Sequence, residues 1–264
     1  MKRSIPLVLL VLFLLIVMAG CSLGAPPLPT ATPTVACAED GRIERTRVES
    51  SKLGWPISVE VYLPPCYDQQ AEAAYPVLYL IPVLNSAAST WNLAGAAEVA
   101  NRMIRAGEIP AFILVTPGNY PSDSHGEALM DDLFPYIEET YRTLNDRTHR
   151  AVGGASMGGA IAYRMALRRP ERFNSVGIFG SGVVSGDEGN VEEWIAAIPP
   201  EQWPRILLDC GDEDTLMLDH VDRTMAILDE WEIPYRLNVE PGGHSYTYWG
   251  SNLEMYYAWY AEVW

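Results

Sequence analysis

Residues 150–168 limit what this chain can fold into more than any other stretch. Residues 150–154 are a small apolar run of strand character and residues 157–168 are helical in character; between them lies Gly154-x-Ser156-x-Gly158. That spacing suits a nucleophile elbow, a tight turn from a buried strand into a helix. The serine of such a turn is held in a strained conformation that lifts its Oγ toward solvent. The residues two before and two after it crowd each other, which favours glycine at both. Ordinary glycine-rich turns share the pentapeptide, so its meaning rests on what surrounds it.

The surroundings alternate between buried strands and helices. Residues 42–50 and 57–63 read as two antiparallel, partly exposed strands around a turn at Gly54. Residues 75–81, 111–116, 174–180, 205–210 and 235–239 read as further strands, several of them continuous apolar runs of the kind covered on both faces. Helices are predicted over 93–106, 127–141, 191–197, 215–231 and 253–261. This order predicts an α/β fold: a mostly parallel central sheet with an antiparallel N-terminal edge and helices on both faces. Neither an internal repeat nor a second folded domain is visible, and the short space over 181–203 leaves room only for a small lid.

The first twenty residues stand apart as a signal peptide. Lys2 and Arg3 precede an uncharged apolar run, residues 5–19, that ends in Met18-Ala19-Gly20-Cys21. The run is shorter than the roughly 20 residues that span a bilayer comfortably. The small residues before Cys21 resemble a bacterial lipobox, whose cysteine is lipidated and becomes the new N-terminus. Residues 21–40 are then a lipidated end and a tether, with Pro26, Pro27, Pro29 and Pro33 among threonine and alanine, unable to form a core. The folded body, residues 41–264, is expected outside the cytoplasm, held to the outer face of a cell membrane by lipid or secreted.

The formal charge of −16 becomes more negative once Lys2 and Arg3 are removed, which argues against a nucleic-acid partner. Cys37 and Cys66 flank the first two strands, and export permits a disulfide between them; Cys210, inside Leu208-Asp209-Cys210, reads as a small buried apolar residue. The four histidines are far apart, no Cys/His cluster has metal spacing, and no cofactor motif is present.

A serine hydroxyl becomes a useful nucleophile when a base takes its proton and a third group orients that base. Behind an elbow the partners follow in the order serine, acid, histidine. Here Gly211-Asp212-Glu213-Asp214 follows one strand and Glu240-Pro241-Gly242-Gly243-His244 follows the last, so all three groups fall at the carboxyl rim of the sheet. Ser156 is the candidate nucleophile and His244 the base; Asp212 and Asp214 are both placed to be the acid. Trp91, Tyr120, Tyr246, Tyr248 and Trp249 are expected on loops around the rim, as walls of a substrate pocket or as packing.

Across residues 54–250 the chain resembles the esterase D-like family of α/β-hydrolases, which includes feruloyl and acetylxylan esterases, S-formylglutathione hydrolases, enterochelin esterases and mycolyltransferases. The resemblance rests on Val61-Tyr62-Leu63-Pro64-Pro65-Cys66-Tyr67-Asp68, Tyr75-Pro76-Val77-Leu78-Tyr79-Leu80, and Gly107-Glu108-Ile109-Pro110 leading to Val115-Thr116-Pro117. It continues through the elbow, Pro170-Glu171-Arg172-Phe173, the 211–214 turn and Gly242-Gly243-His244-x-x-x-x-Trp249. It implies an α/β-hydrolase fold and a serine esterase that needs no cofactor. The family's acid ends a Gly-x-x-Asp turn, which points to Asp214. Its two oxyanion donors fall by position on the N–H groups of Leu84 and Met157. One departure stands out: the family usually has His-Gly or Asp-Gly where this chain has Pro82-Val83. Pro82 leaves the N–H of Leu84 intact, but valine resists backbone angles that glycine permits. A misaimed donor costs about 10²–10³ in rate, unless Asn85 or Ser86 offers a side chain instead.

The sequence therefore predicts an exported serine carboxylic-ester hydrolase acting through an acyl-enzyme on a small-molecule, carbohydrate or lipid ester. Acyl transfer on the same triad is the neighbouring alternative. A non-catalytic binding protein that keeps the fold is the distant one: Pro82-Val83 supports it, and the complete triad order speaks against it.

Overall fold

The computed structural model describes residues 39–121, 124–184 and 187–264. The predicted signal peptide, the Cys21 lipidation site, the tether up to residue 38 and Cys37 lie outside the described residues. Cys66 is described and buried, while the expected Cys37–Cys66 pairing lies outside with its partner.

Eight strands form one sheet: β1 (Arg42–Val48), β2 (Ile57–Leu63), β3 (Val77–Ile81), β4 (Ile113–Pro117), β5 (Arg150–Ala155), β6 (Ser175–Phe179), β7 (Arg205–Gly211) and β8 (Tyr235–Glu240). Their order is β1-β2-β4-β3-β5-β6-β7-β8. β1 and β2 pair antiparallel, β2 joins β4 antiparallel, and every pair from β4 to β8 is parallel. The antiparallel edge and the parallel body match the expectation from sequence.

The helices are α1 (Thr90–Leu93), α2 (Ala96–Ala106), α3 (His125–Ala128), α4 (Phe134–Thr140), α5 (Met157–Arg168), α6 (Glu188–Ala197), α7 (Leu218–Glu230), α8 (Tyr246–Ser251) and α9 (Leu253–Ala261). A π turn, Leu129–Leu133, joins α3 to α4. Successive side chains of a strand point to opposite faces, and β3 shows the result. Val77, Tyr79 and Ile81 pack into one apolar layer with residues of α4 to α7, while Leu78 and Leu80 pack into the other with residues of α1, α2, α8 and α9. A strand covered twice must be apolar throughout, which is why these strands read as unbroken runs.

The differences from expectation have local causes. The helix predicted over 93–106 is broken into α1 and α2 at Gly95, which takes a left-handed φ of 97°. The helix predicted over 127–141 carries the π turn just before Pro135; proline has no N–H to donate back along the helix, and the wider turn accommodates it. Residues 246–251 are helical where a loop was expected, opened by the Ser245 side chain accepting from the Tyr248 N–H.

Candidate active site

β5 delivers Ser156 at φ 53° and ψ −126°, and α5 leaves directly from it. The Ser156 N–H donates to Phe179 O at 2.9 Å, tying the elbow to the end of β6. A Cβ on Gly154 or Gly158 would run into the carbonyl of Ile81, and on Gly158 also into that of Pro82. The two glycines thus let the elbow press against the end of β3, where the expected oxyanion loop begins.

The acid and base come from the ends of β7 and β8. Asp214 is buried, and its Oδ2 lies 2.8 Å from His244 Nδ1. Its Oδ1 accepts the Met217 N–H at 3.2 Å, so both carboxylate oxygens are engaged. Asp212 does something different: its Oδ1 accepts the Gly242 N–H at 3.0 Å and braces the histidine's loop. A third acid, Asp209, lies buried inside β7 and accepts from Tyr256 Oη at 2.7 Å, Tyr248 Oη at 3.0 Å and Asn238 Nδ2 at 2.7 Å. Burial pushes the Asp209 carboxyl up, against those hydrogen bonds. The turn therefore offers Asp214, and neither of the others, to His244. The His244 ring meets Trp249 edge-on, with centroids 5.0 Å apart.

The loop after β3 is held from several sides. Asn119, buried at the end of β4, donates from Nδ2 to Pro82 O at 2.8 Å and exchanges backbone hydrogen bonds with Ser86. The Val83 N–H donates to Tyr246 Oη at 3.1 Å. Val83 has no positive φ; the left-handed step falls on Asn85, at φ 60°. This resolves the difficulty raised by a β-branched residue in place of glycine, because asparagine tolerates that region far better than valine. Among the described residues, the N–H groups of Leu84 and Met157 have no hydrogen-bond partner.

The predicted aromatic wall is rearranged. Tyr120 lines a cleft of about 570 Å³ that begins at Leu84 and Met157 and runs past Ile161, Met165 and Trp194. Trp91 and Trp249 are instead fully buried, in α1 and α8, and Tyr248 is spent on Asp209. Tyr246 is wedged edge-on between the two tryptophans, with centroids 5.3 and 5.2 Å away. Burial pushes its phenol up, so it stays protonated. Helix α6 fills the short 181–203 space and forms a side of the cleft through Asp187, Asn190 and Trp194, its N-cap Asp187 paired with Arg164. Arg168, also on the cleft, pairs with Glu127 at 3.1 Å. No group of three His, Cys, Asp or Glu residues able to hold a metal occurs among the described residues.

Residues 50–124 and 116–260 match the protein family described as "Putative esterase". The chain belongs to this esterase family. Over 190 residues it is 28% identical to an endo-1,4-beta-xylanase/feruloyl esterase of Xylanibacter ruminicola, a match that takes in 66% of this chain and 25% of that protein. The chain thus spans about a quarter of the relative's length. Among solved structures, a ferulic acid esterase aligns with a TM-score of 0.75 at 24% identity, covering 86% of this chain and all of that one. An S-formylglutathione hydrolase from Staphylococcus aureus aligns at 0.72 and 18%, covering 84% and 97%. At these identities the two structures speak for the α/β-hydrolase fold.

Sequence reasoning missed Asn119 and the bond from Val83 to Tyr246. The one available signal for Asn119 was its place just past the carboxyl end of β4, on the rim where such sheets build their sites.

Proposed function

We propose that this esterase is exported and works through an acyl-enzyme on Ser156. The Ser156 Oγ attacks the ester carbonyl, and His244 takes its proton and passes it to the departing alcohol. Asp214 holds the imidazole in the useful tautomer and stabilises it once charged. The open N–H groups of Leu84 and Met157 receive the negative charge on the carbonyl oxygen. Water, activated by His244 in turn, then releases the acid. The observation that carries this proposal is the 2.8 Å bond from Asp214 to His244 on the rim where the strained Ser156 turn stands.

The cleft beginning at Leu84 and Met157 suits the acyl side of the substrate, and its volume of about 570 Å³ lies within the range of small-molecule sites. Its methionines and Trp194 favour a flat, largely apolar acyl group. The names of the relatives support an ester of feruloyl type, with a carbohydrate as the alcohol. The lipobox-like residues before Cys21 support anchoring outside the cytoplasm, and an export route supports a Cys37–Cys66 disulfide.

A fluorophosphonate probe should label the purified protein at Ser156 and leave Ser156→Ala unlabelled. An unlabelled parent would overturn the proposal. Hydroxycinnamoyl, acetyl, longer acyl and thioester substrates compared side by side should favour the first; equal rates on all four would remove the assignment of the acyl group while leaving the chemistry.

A further inference from the structure

We infer that Tyr246 is a positioning residue for the oxyanion donor of Leu84, holding from outside a loop that lacks its own glycine. The inference rests on the proposed serine mechanism. The loop from Pro82 to Ser86 has few polar groups, and each bond made to it limits where the others point. Asn119 fixes the carbonyl of Pro82 and both backbone groups of Ser86. Between those anchors lie three N–H groups, on Val83, Leu84 and Asn85. Tyr246 Oη accepts the first of them. Neighbouring peptide planes in such a turn are coupled through φ and ψ, so fixing Val83 with Asn85 already committed to φ 60° leaves the Leu84 N–H little freedom. That N–H remains without a partner among the described residues, and its residue opens the cleft beside Met157.

The holding group is itself held. The Tyr246 ring stands edge-on between Trp91 and Trp249, both fully buried, and Trp249 stands edge-on to His244. Tyr246 follows His244 by two residues, at the start of α8. One phenol therefore ties the element that carries the base to the loop that carries the oxyanion donor. A tyrosine serving as a pocket wall would present its ring face to the cleft; this one lies off the lining of that cleft and spends its hydroxyl on the loop, on the Val83 N–H and the Ser86 side chain.

The test is Tyr246→Phe, which keeps the ring between the two tryptophans and removes the hydroxyl, with its bonds to Val83 and Ser86 in the loop. With a soluble nitrophenyl ester, kcat should fall about 10- to 100-fold while KM stays within about twofold, as expected when a preorganised donor is misplaced. Inhibition by an arylboronic acid, which mimics the tetrahedral oxyanion, should weaken by the same factor as kcat/KM. The melting temperature should stay that of the parent. A raised KM at unchanged kcat would make Tyr246 a pocket wall and overturn the inference, as would parental kcat. A measurement on the unaltered protein guards against a variant that fails to fold: amide exchange by NMR should be slow at Val83 and fast at Leu84, and equal rates would also overturn it. Absence of fluorophosphonate labelling in the parent would instead bring down the esterase mechanism, which separates the two failures.

Discussion

Asp212 and Asp214 stand two positions apart in one turn, and their hydrogen bonds give them different work. Asp214→Asn keeps the size of the side chain but offers His244 a neutral partner and the wrong tautomer. Its kcat should fall by about 10³–10⁴, as for the analogous change in other triads. Asp212→Asn keeps an oxygen to accept the Gly242 N–H and loses only the charge; its kcat should stay within about tenfold and its stability fall by no more than about 1 kcal/mol. Steady-state assays beside urea titrations of both variants separate the two roles, and a dead Asp212→Asn would reverse the assignment. His125 gives a second residue-level prediction. It is buried with neither ring nitrogen hydrogen-bonded among the described residues, and burial pulls its imidazole down to about 4 from an ordinary 6.5. Between those values the unfolded chain binds a proton that the folded chain refuses, so stability falls as pH drops through that window, by at most about 3 kcal/mol. The raised carboxyl of Asp209 acts with the opposite sign, since the folded chain there holds its proton longer. Chemical denaturation of the parent and His125→Leu from pH 7 to 4.5 isolates the histidine: the variant should lose the acid-side decline that His125 contributes.

At the scale of elements, the elbow is a contact between β5, α5 and the end of β3. Gly158→Ala would place a methyl group against the carbonyls of Ile81 and Pro82. Overpacking of this kind costs typically 1–3 kcal/mol, and here the strain falls on the loop that carries the oxyanion donor. Melting curves should show that loss, and kcat should drop with it; a variant of parental stability would mean that the β3 loop can yield. The elements themselves were largely legible. β2, α5 and α9 run over the predicted residues because apolar runs bounded by proline, glycine or a change of period leave little choice. The break at Gly95, the π turn ahead of Pro135 and the helix α8 were harder, since each depends on how a single residue resolves a conflict between local preference and packing. Ser245 caps α8, and the aromatic run behind it resembles a pocket rim more than a helix.

For the whole molecule, the sheet order places Ser156, Asp214 and His244 at the ends of strands β5, β7 and β8 in one parallel block. That much follows from chain order alone. The contact between Val83 and Tyr246 does not, because it joins residues 163 positions apart and exists only once α8 has docked beside β3. Export can be tested at this scale too. In a bacterial host, Cys21→Ser should shift esterase activity out of the membrane fraction with little change in kcat, and equal fractionation of parent and variant would argue against a lipid anchor. The long reach from Val83 to Tyr246 also bears on when activity begins. A chain threaded through a membrane N-terminus first, as the proposed export would require, delivers Ser156 well ahead of His244 and α8. Until those last residues arrive on the far side there is a nucleophile with neither base nor aligned oxyanion loop. On the proposed export route the site would be completed only on the far side of the membrane, and the esters of the compartment that synthesises the chain would need no separate inhibitor to protect them.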